Sequence, residues 1–308
     1  MATNPLHRRS LFALGLGTLA MPALAAKPLA VVTSFSILAD LARQVGGPRV
    51  SVTSLAPVET DLHHFQPRPS EVRGVGAADV FVINGLGLEG WAERLAEAAG
   101  FKGKGVVASK GIKALAAVDD HAGHSHGHAH GKGTAADPHA WQDVANTKLY
   151  VANIRDGLTA ADPAGAGDYA GKAAAYLRQL DALDAEIKGM LAAIPRAERR
   201  VVTTHEAFNY YGDAYGVDFL AASGISADAE PTARQFAALI AQIKKEKIKA
   251  LFLEQGMQPR LMEQLARETS VRIGGTLYAD TLSGPNGPAT SYIEMMRSNT
   301  KAIVAALS

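Results

Sequence analysis

The sequence predicts an α/β protein of two Rossmann-like lobes, each built on a parallel sheet, joined by one long rigid backbone helix. Three observations predict it. Short apolar runs alternate with helix-period segments from residue 29 to 109, and the same alternation returns from residue 200 to the C-terminus. Between the two stretches runs one unbroken helical stripe.

In the first lobe "LAVVTS" (Leu29–Ser34) reads as a strand and "FSILADLARQVG" as a helix with apolar residues at i, i+3, i+4 and i+7. "VSVTSLA", "DVFVING" (Asp79–Gly85) and "GVVAS" (Gly105–Ser109) are further strands, with the helix "EGWAERLAEAAG" between the last two. In the second lobe "RVVTT" (Arg200–Thr204) precedes the helical "EAFNYYGDAYG", and "VDFLAA" precedes "TARQFAALIAQIKKEKI", a helix opened by a threonine N-cap. "KALFLE" (Lys249–Glu254), the helix "QPRLMEQLARET", the strand "VRIGGTL" and a terminal helix complete it. Strands that alternate with helices argue for parallel sheets covered on both faces.

The stripe between the lobes places Tyr169, Ala173, Tyr176, Leu180, Leu183, Ile187, Met190 and Ile194 at alternating spacings of four and three, with no proline between Ala166 and Ile194. About 29 residues at roughly 1.5 Å each give a rod of about 43 Å, long enough to cross a domain. A short coiled coil between chains is the competing reading, but the flanking positions lack a clear charge code. A stiff link allows less hinge motion than a flexible crossover. The expected organisation is a leader at 1–26, an N-terminal lobe at 27–163, a linking helix at 164–195 and a C-terminal lobe at 196–308.

Composition bounds the function. The chain has 308 residues, 47% hydrophobic and 20% charged, which suffices for two cores. A formal charge of +1 gives no electrostatic footprint for nucleic acid or acidic membranes, so nucleic-acid binding is not expected. The first residues have a basic segment (His7, Arg8, Arg9), an apolar run from Leu11 to Met21 and Ala23-Leu24-Ala25 as a small-x-small cleavage signal. That pattern predicts a secretory signal peptide. The paired arginines raise the twin-arginine route, but His7 stands where serine or threonine usually precedes the pair, so the Sec route is the default. Cysteine is absent. The expectation is a soluble periplasmic protein without disulfides and without a cysteine for lipid attachment. Any metal site must then use imidazole and oxygen.

Histidine carries the chemistry. Of ten, one lies in the leader and five (His121, His124, His126, His128, His130) crowd into a low-complexity segment, 119–136, which is expected to be disordered without metal. The remaining four, His63, His64, His139 and His205, each stand where a strand or loop ends. Asp280, just past "VRIGGTL", is placed the same way. Ligands of open α/β sheets bind beyond the carboxyl ends of strands, where these loops converge. Each position has a plainer reading: a loop histidine at the surface, Asp280 as a helix N-cap, Glu206 as the acidic first turn of a helix. Spacing alone leaves both readings open.

Several stretches in order resemble a known family. "DLHHFQPRPSEVRGVGAADVFVINGLGLEGW" resembles a D-P-H-x-[YF]-x-P-x-P-S-[DE] segment with its following strand, and "DPHAWQD" a D-P-H-x-W-x-D motif. "TTHEAFNYYGDAYGV", "SADAEPTARQ" and "YADTLS" follow in the expected order. The family is that of the zinc- and manganese-binding ABC-transporter solute-binding proteins (cluster A-I), and within it the AztC-type, ZnuA-like periplasmic zinc-binding proteins. The resemblance covers nearly the whole chain after the leader.

The resemblance implies that His63, His139, His205 and Asp280 are metal ligands and that the protein is not an enzyme. Leu62 departs from the usual proline, and His64 follows directly, so His64 competes with His63 for the first ligand position. Three imidazoles and a carboxylate suit tetrahedral Zn2+, whereas manganese carriers have a carboxylate where His205 stands. Asp61, Asp137 and Glu206 are the candidates to accept the second N–H of the ligand histidines.

The function implied is capture of Zn2+ between two lobes and delivery to a membrane ABC permease by a monomeric periplasmic protein, with Asp280 and its loop moving most on release. The clustered histidines are expected to collect zinc weakly, or to receive it from a metallochaperone. Three alternatives remain: a manganese or iron carrier, an exported zinc hydrolase, and a histidine-rich zinc buffer. No metalloprotease motif or nucleophile elbow supports the hydrolase.

Overall fold

The alternation in the sequence becomes two four-stranded parallel sheets in the computed structural model, which describes residues 27–117, 135–224 and 231–308. The expected signal peptide and the five clustered histidines lie outside the described residues. The first lobe runs β1 (Leu29–Thr33), α1 (Ser36–Gly46), β2 (Val50–Ser54), α2 (Pro69–Gly76), β3 (Val80–Ile83), α3 (Ala92–Ala98), β4 (Lys104–Val107) and α4 (Val144–Ala161). After the long α5 (Ala166–Ala192) come β5 (Arg200–Thr203), α6 (Asn209–Tyr215), β6 (Asp218–Ala221), α7 (Ala233–Glu246), β7 (Ala250–Glu254), α8 (Arg260–Thr269), β8 (Arg272–Leu277) and α9 (Tyr292–Leu307).

Strand order is β2-β1-β3-β4 in one sheet and β6-β5-β7-β8 in the other, so both lobes repeat one topology. The order reverses between β1 and β3 and again between β5 and β7. Crevices open at the carboxyl ends of those strand pairs. The β-branched runs explain the buried strands: Val31, Val80, Val82, Val201 and Val202 are 1% exposed or less. Thr232 opens α7 as expected, accepting from Gln235 N while the Gln235 side chain accepts from Thr232 N.

Three sequence expectations need correction. The helix after β5 begins at Asn209, not at Glu206. The amides of Thr204 and His205 are bonded to the Glu254 side chain, and the Thr203 hydroxyl donates to the His205 carbonyl, which holds these residues in a bend. In α5 the buried face runs Tyr169, Ala173, Tyr176, Leu180, Leu183, Ile187 and then Leu191, leaving Met190 half-buried. A strict seven-residue repeat drifts by about 20° per heptad around a straight helix, so the stripe has moved on one residue by its last turn. Finally, Ala136 lies in an antiparallel bridge with Ala116, and Ala117 N donates to Ala135 O at 2.7 Å. The low-complexity segment therefore ends in ordered backbone that leads straight into Asp137.

α5 packs on α1 and α4 of the first lobe and on α9 of the second. One apolar core runs from Val31 and Leu38 through the α5 face to Val201, Phe252 and Met296, while smaller clusters cover the outer face of each sheet. A shared core of this kind sets the lobes in one arrangement and fixes the crevice between them. Among the described residues no helix is long and apolar enough to cross a membrane.

Candidate metal centre

His139 enters the crevice from the segment Asp137-Pro138-His139, ahead of α4. Asp137 Oδ1 accepts from His139 N at 2.9 Å and lies 2.8 Å from its ring Nδ1. A carboxylate at Nδ1 makes that nitrogen the donor and turns the Nε2 lone pair into the crevice. The segment is itself held from both lobes. Asn84, past β3, donates to the Pro138 carbonyl (2.9 Å), Asn209 donates to Asp137 Oδ2 (3.0 Å), and the Tyr210 hydroxyl donates to the Asp137 carbonyl (3.0 Å).

His205, two residues beyond β5, is held in the same manner by a residue from another strand. Glu254 closes β7 and accepts from Thr204 N (2.6 Å) and His205 N (3.0 Å), with its other oxygen 2.5 Å from His205 Nδ1. All three groups are buried. Glu254 spans the switch point of the second sheet and orients Nε2 of His205 toward His139.

His63 lies in the irregular loop between β2 and α2. Its main-chain N–H donates to Asp61 Oδ1 at 2.9 Å, the same two-residue spacing as in Asp137-Pro138-His139. The second Asp61 oxygen lies instead 2.8 Å from Nδ1 of His64, whose side chain is 55% exposed. Of the adjacent pair, His63 therefore reaches the crevice and His64 faces outward.

Asp280 follows β8 and caps no helix; Ser291 caps α9. The backbone on either side of it is bonded to the first lobe. Trp141 Nε1 and Gln142 Nε2 each donate to the Ala279 carbonyl at 2.8 Å, Glu59 N donates to Thr281 Oγ1 at 2.8 Å, and Leu282 N donates to Ser36 Oγ at 3.0 Å. The tryptophan and glutamine of "DPHAWQD" thus carry Asp280 to His139.

The four side chains converge. His63 Nε2 and His139 Nε2 are 3.3 Å apart, and Asp280 oxygens lie 3.5 Å from each of them and 3.4 Å from His205 Nε2. All four ligand atoms fall within 4.8 Å of one another. A tetrahedral ion with bonds of about 2.0–2.1 Å has ligand–ligand edges of roughly 3.4 Å. His205 Nε2 and both Asp280 oxygens are buried without a hydrogen-bond partner, which is what a bound cation would satisfy.

Burial opposes ionisation of Asp280, but the His139 and His205 rings beside it hold its carboxyl well below the usual range. Burial likewise opposes charge on His205, yet Glu254 and Asp280 raise it well above its ordinary value. An anionic, proton-holding pocket is primed to exchange a proton for a divalent cation.

Of the carboxylates expected beside the ligands, Asp137 holds its histidine's ring, and Asp61 holds His63 through the main chain alone. At His205 the expectation of Glu206 is corrected: Glu254 takes the ring, while Glu206 Oε1 accepts from Asn209 at 3.0 Å. Sequence reasoning missed Glu254. The available signal was an acid closing the otherwise apolar run "KALFLE" at the carboxyl end of a central strand.

Comparisons with known proteins point to one family. The family described as ZnuA, zinc-uptake complex component A, periplasmic, matches residues 31–306. A manganese-binding lipoprotein, MntA of Halalkalibacterium halodurans, is 35% identical over 280 residues, covering 91% of this chain and 89% of that one. The iron-binding protein YfeA of Yersinia pestis is 33% identical over 282 residues, covering 92% and 87%. Among solved structures, the periplasmic zinc-binding protein TroA of Treponema pallidum superposes with a TM-score of 0.82 at 28% identity, covering 92% of this chain and 99% of that one.

Proposed function

The chain belongs to the ZnuA family of metal-binding components of ABC importers, and from that premise we propose that its cargo is Zn2+. Members of this family are solute-binding proteins that work with a membrane permease and its ATPase, not enzymes, which sets aside the exported-hydrolase alternative. His63, His139, His205 and Asp280 are the ligands of this reading. The observation that carries it is the donor set: three imidazole nitrogens and one carboxylate at near-tetrahedral separations. Such a set is borderline in softness and suits zinc, with no coordination position kept open for chemistry.

In this reading the protein works in the periplasm as a monomer, takes Zn2+ between its lobes and presents it to the permease. The histidines His121 to His130 collect the ion weakly or accept it from a metallochaperone, and the fixed site holds it. Removing 119–134 then leaves the affinity of the fixed site unchanged and slows its loading under zinc scarcity.

One observation favours a second reading, manganese or iron. Both oxygens of Asp280 face the centre, Oδ2 toward His63 and His205 and Oδ1 toward His139, so the carboxylate can bind through two atoms and raise the coordination number. The relatives named for manganese and iron give this reading its weight. Metal analysis of protein purified without added metal, followed by competition among Zn2+, Mn2+ and Fe2+, decides between them. One tightly held zinc per chain that is lost in His205→Ala supports the proposal, and preferential retention of manganese or iron overturns it.

A further inference from the structure

The three histidines are not held alike. His139 and His205 each have a buried carboxylate that takes both the main-chain N–H and the ring Nδ1 of the same residue. For His63 the main-chain bond is present, but among the described residues no carboxylate lies on its Nδ1. The contrast is sharpest between two copies of one local pattern. In Asp137-Pro138-His139 one carboxylate oxygen serves backbone and ring while the other accepts from Asn209 of the second lobe, whereas in Asp61-Leu62-His63 one oxygen serves the backbone alone and the other lies 2.8 Å from Nδ1 of the outward-facing His64.

We propose that His63 is the ligand at which the ion enters and leaves, and that His64 keeps it so by holding the Asp61 carboxylate away from the His63 ring. This rests on the metal-binding reading above. Two further observations support it. The His63 side chain, 7% exposed, is the most open of the four, against 0% for His139 and His205 and 4% for Asp280. It also stands on a loop without regular structure, while the backbone flanking Asp280 is fastened to the first lobe on both sides.

An unbacked imidazole is a weaker and less oriented ligand, because an outer carboxylate fixes the tautomer and raises the basicity of the coordinating nitrogen. His63 can therefore rotate off the ion while three ligands keep hold, exposing it to an incoming partner. The sequence expectation placed the greatest movement at Asp280; its backbone is fastened on both sides, and of the three histidine rings His63 is the one with the weakest hold. His64 acts here as a positioning residue, through Asp61.

The test uses two variants at this exposed position. His64→Ala frees Asp61 to back the His63 ring, as Asp137 does at His139. His64→Asn keeps an amide nitrogen where Nδ1 stood and preserves the bond to Asp61. Zinc dissociation from loaded protein into excess chelator should slow by about tenfold in His64→Ala and stay at the wild-type rate in His64→Asn.

Ring N–H resonances of metal-free protein give the independent readout: His64→Ala should gain a low-field, exchange-protected signal from His63 beside those of His139 and His205. Unchanged or faster release in His64→Ala overturns the proposal, as does equal slowing in both variants or no new His63 signal. Failure of wild-type protein to bind zinc overturns the functional reading instead, and the metal-free spectra still decide how His63 is held.

Discussion

Glu254 Oε2 lies 2.5 Å from Nδ1 of His205, 49 positions away in sequence, with Glu254 closing β7 and His205 two residues past the end of the adjacent β5, at the switch point of the second sheet. One side chain thereby sets the tautomer, the ring orientation and the local backbone of a proposed metal ligand. It also explains why residues 204–206 bend rather than starting a helix.

Glu254→Gln tests this arrangement. The amide nitrogen of glutamine cannot accept a hydrogen bond, so one of the three N–H groups now satisfied by the carboxylate is left without an acceptor. Zinc affinity should fall by about 10–100-fold, read by competition against a chromophoric chelator. A buried donor without a partner costs about 1–3 kcal/mol, so the urea midpoint should fall too. Unchanged affinity would show that His205 needs no carboxylate behind it.

Metal preference follows from the same pair. His205→Glu alone sets a carboxylate against Glu254 with no compensating charge and should weaken every metal. His205→Glu combined with Glu254→Gln relieves that repulsion and leaves two nitrogens and two carboxylates, a harder set that should shift preference from Zn2+ toward Mn2+. Mixed-metal competition followed by metal analysis measures the ratio, and an unshifted preference in the double variant would sink this account of selectivity.

The strands and the remaining helices were legible because each element has its own period, Leu29–Thr33 and Ala250–Glu254 as apolar runs, Tyr169 to Ile187 as a stripe, whereas the helices Pro69–Gly76 and Val144–Ala161 were not read from the sequence. The strand-end histidines and Asp280 were legible from their placement, and the family resemblance joined them into one site. Glu254 was not, because its partner is chosen by the pairing of β5 with β7, a tertiary fact that no local window contains. Nor was the division of labour at Asp61, since "DLHH" does not say which ring takes the second oxygen. Met190 gave way to Leu191 for a third reason, the mismatch between a 3.5 reading frame and a 3.6-residue helix.

Trp141 connects the lobes through two atoms. Its indole N–H donates to the Ala279 carbonyl next to Asp280, and its own carbonyl accepts from the Tyr292 hydroxyl at 2.8 Å. Trp141→Phe keeps the aromatic contact with Phe35 but removes the donor. The lost bond should cost about 1 kcal/mol, with a further penalty for the space left in a fully buried position. Because Gln142 still donates to Ala279, the Asp280 loop should loosen without detaching. A lowered denaturation midpoint with faster zinc release checks this, and an unaltered release rate would separate Trp141 from the site.

Proton linkage gives the remaining prediction. In the metal-free protein the His205 value is raised above its ordinary 6.5 by Glu254 and Asp280 acting against burial, so the ring holds a proton at neutral pH. A raised histidine adds stability that is complete below the unfolded value and is lost as pH rises through the folded one. Asp280 is depressed, so its contribution is present above the ordinary carboxylate range and is lost as pH falls through its lower folded value. Stability of the metal-free chain from these two groups should therefore be greatest between about pH 4 and 6.5. Zinc needs the Nε2 lone pair, so each ion bound should release the His205 proton, and apparent affinity should weaken by about tenfold per pH unit below the folded value. Calorimetric titration in two buffers of different ionisation heat counts the protons released. Equal heats in both buffers at neutral pH would mean that His205 is already neutral and that Glu254 does not charge it.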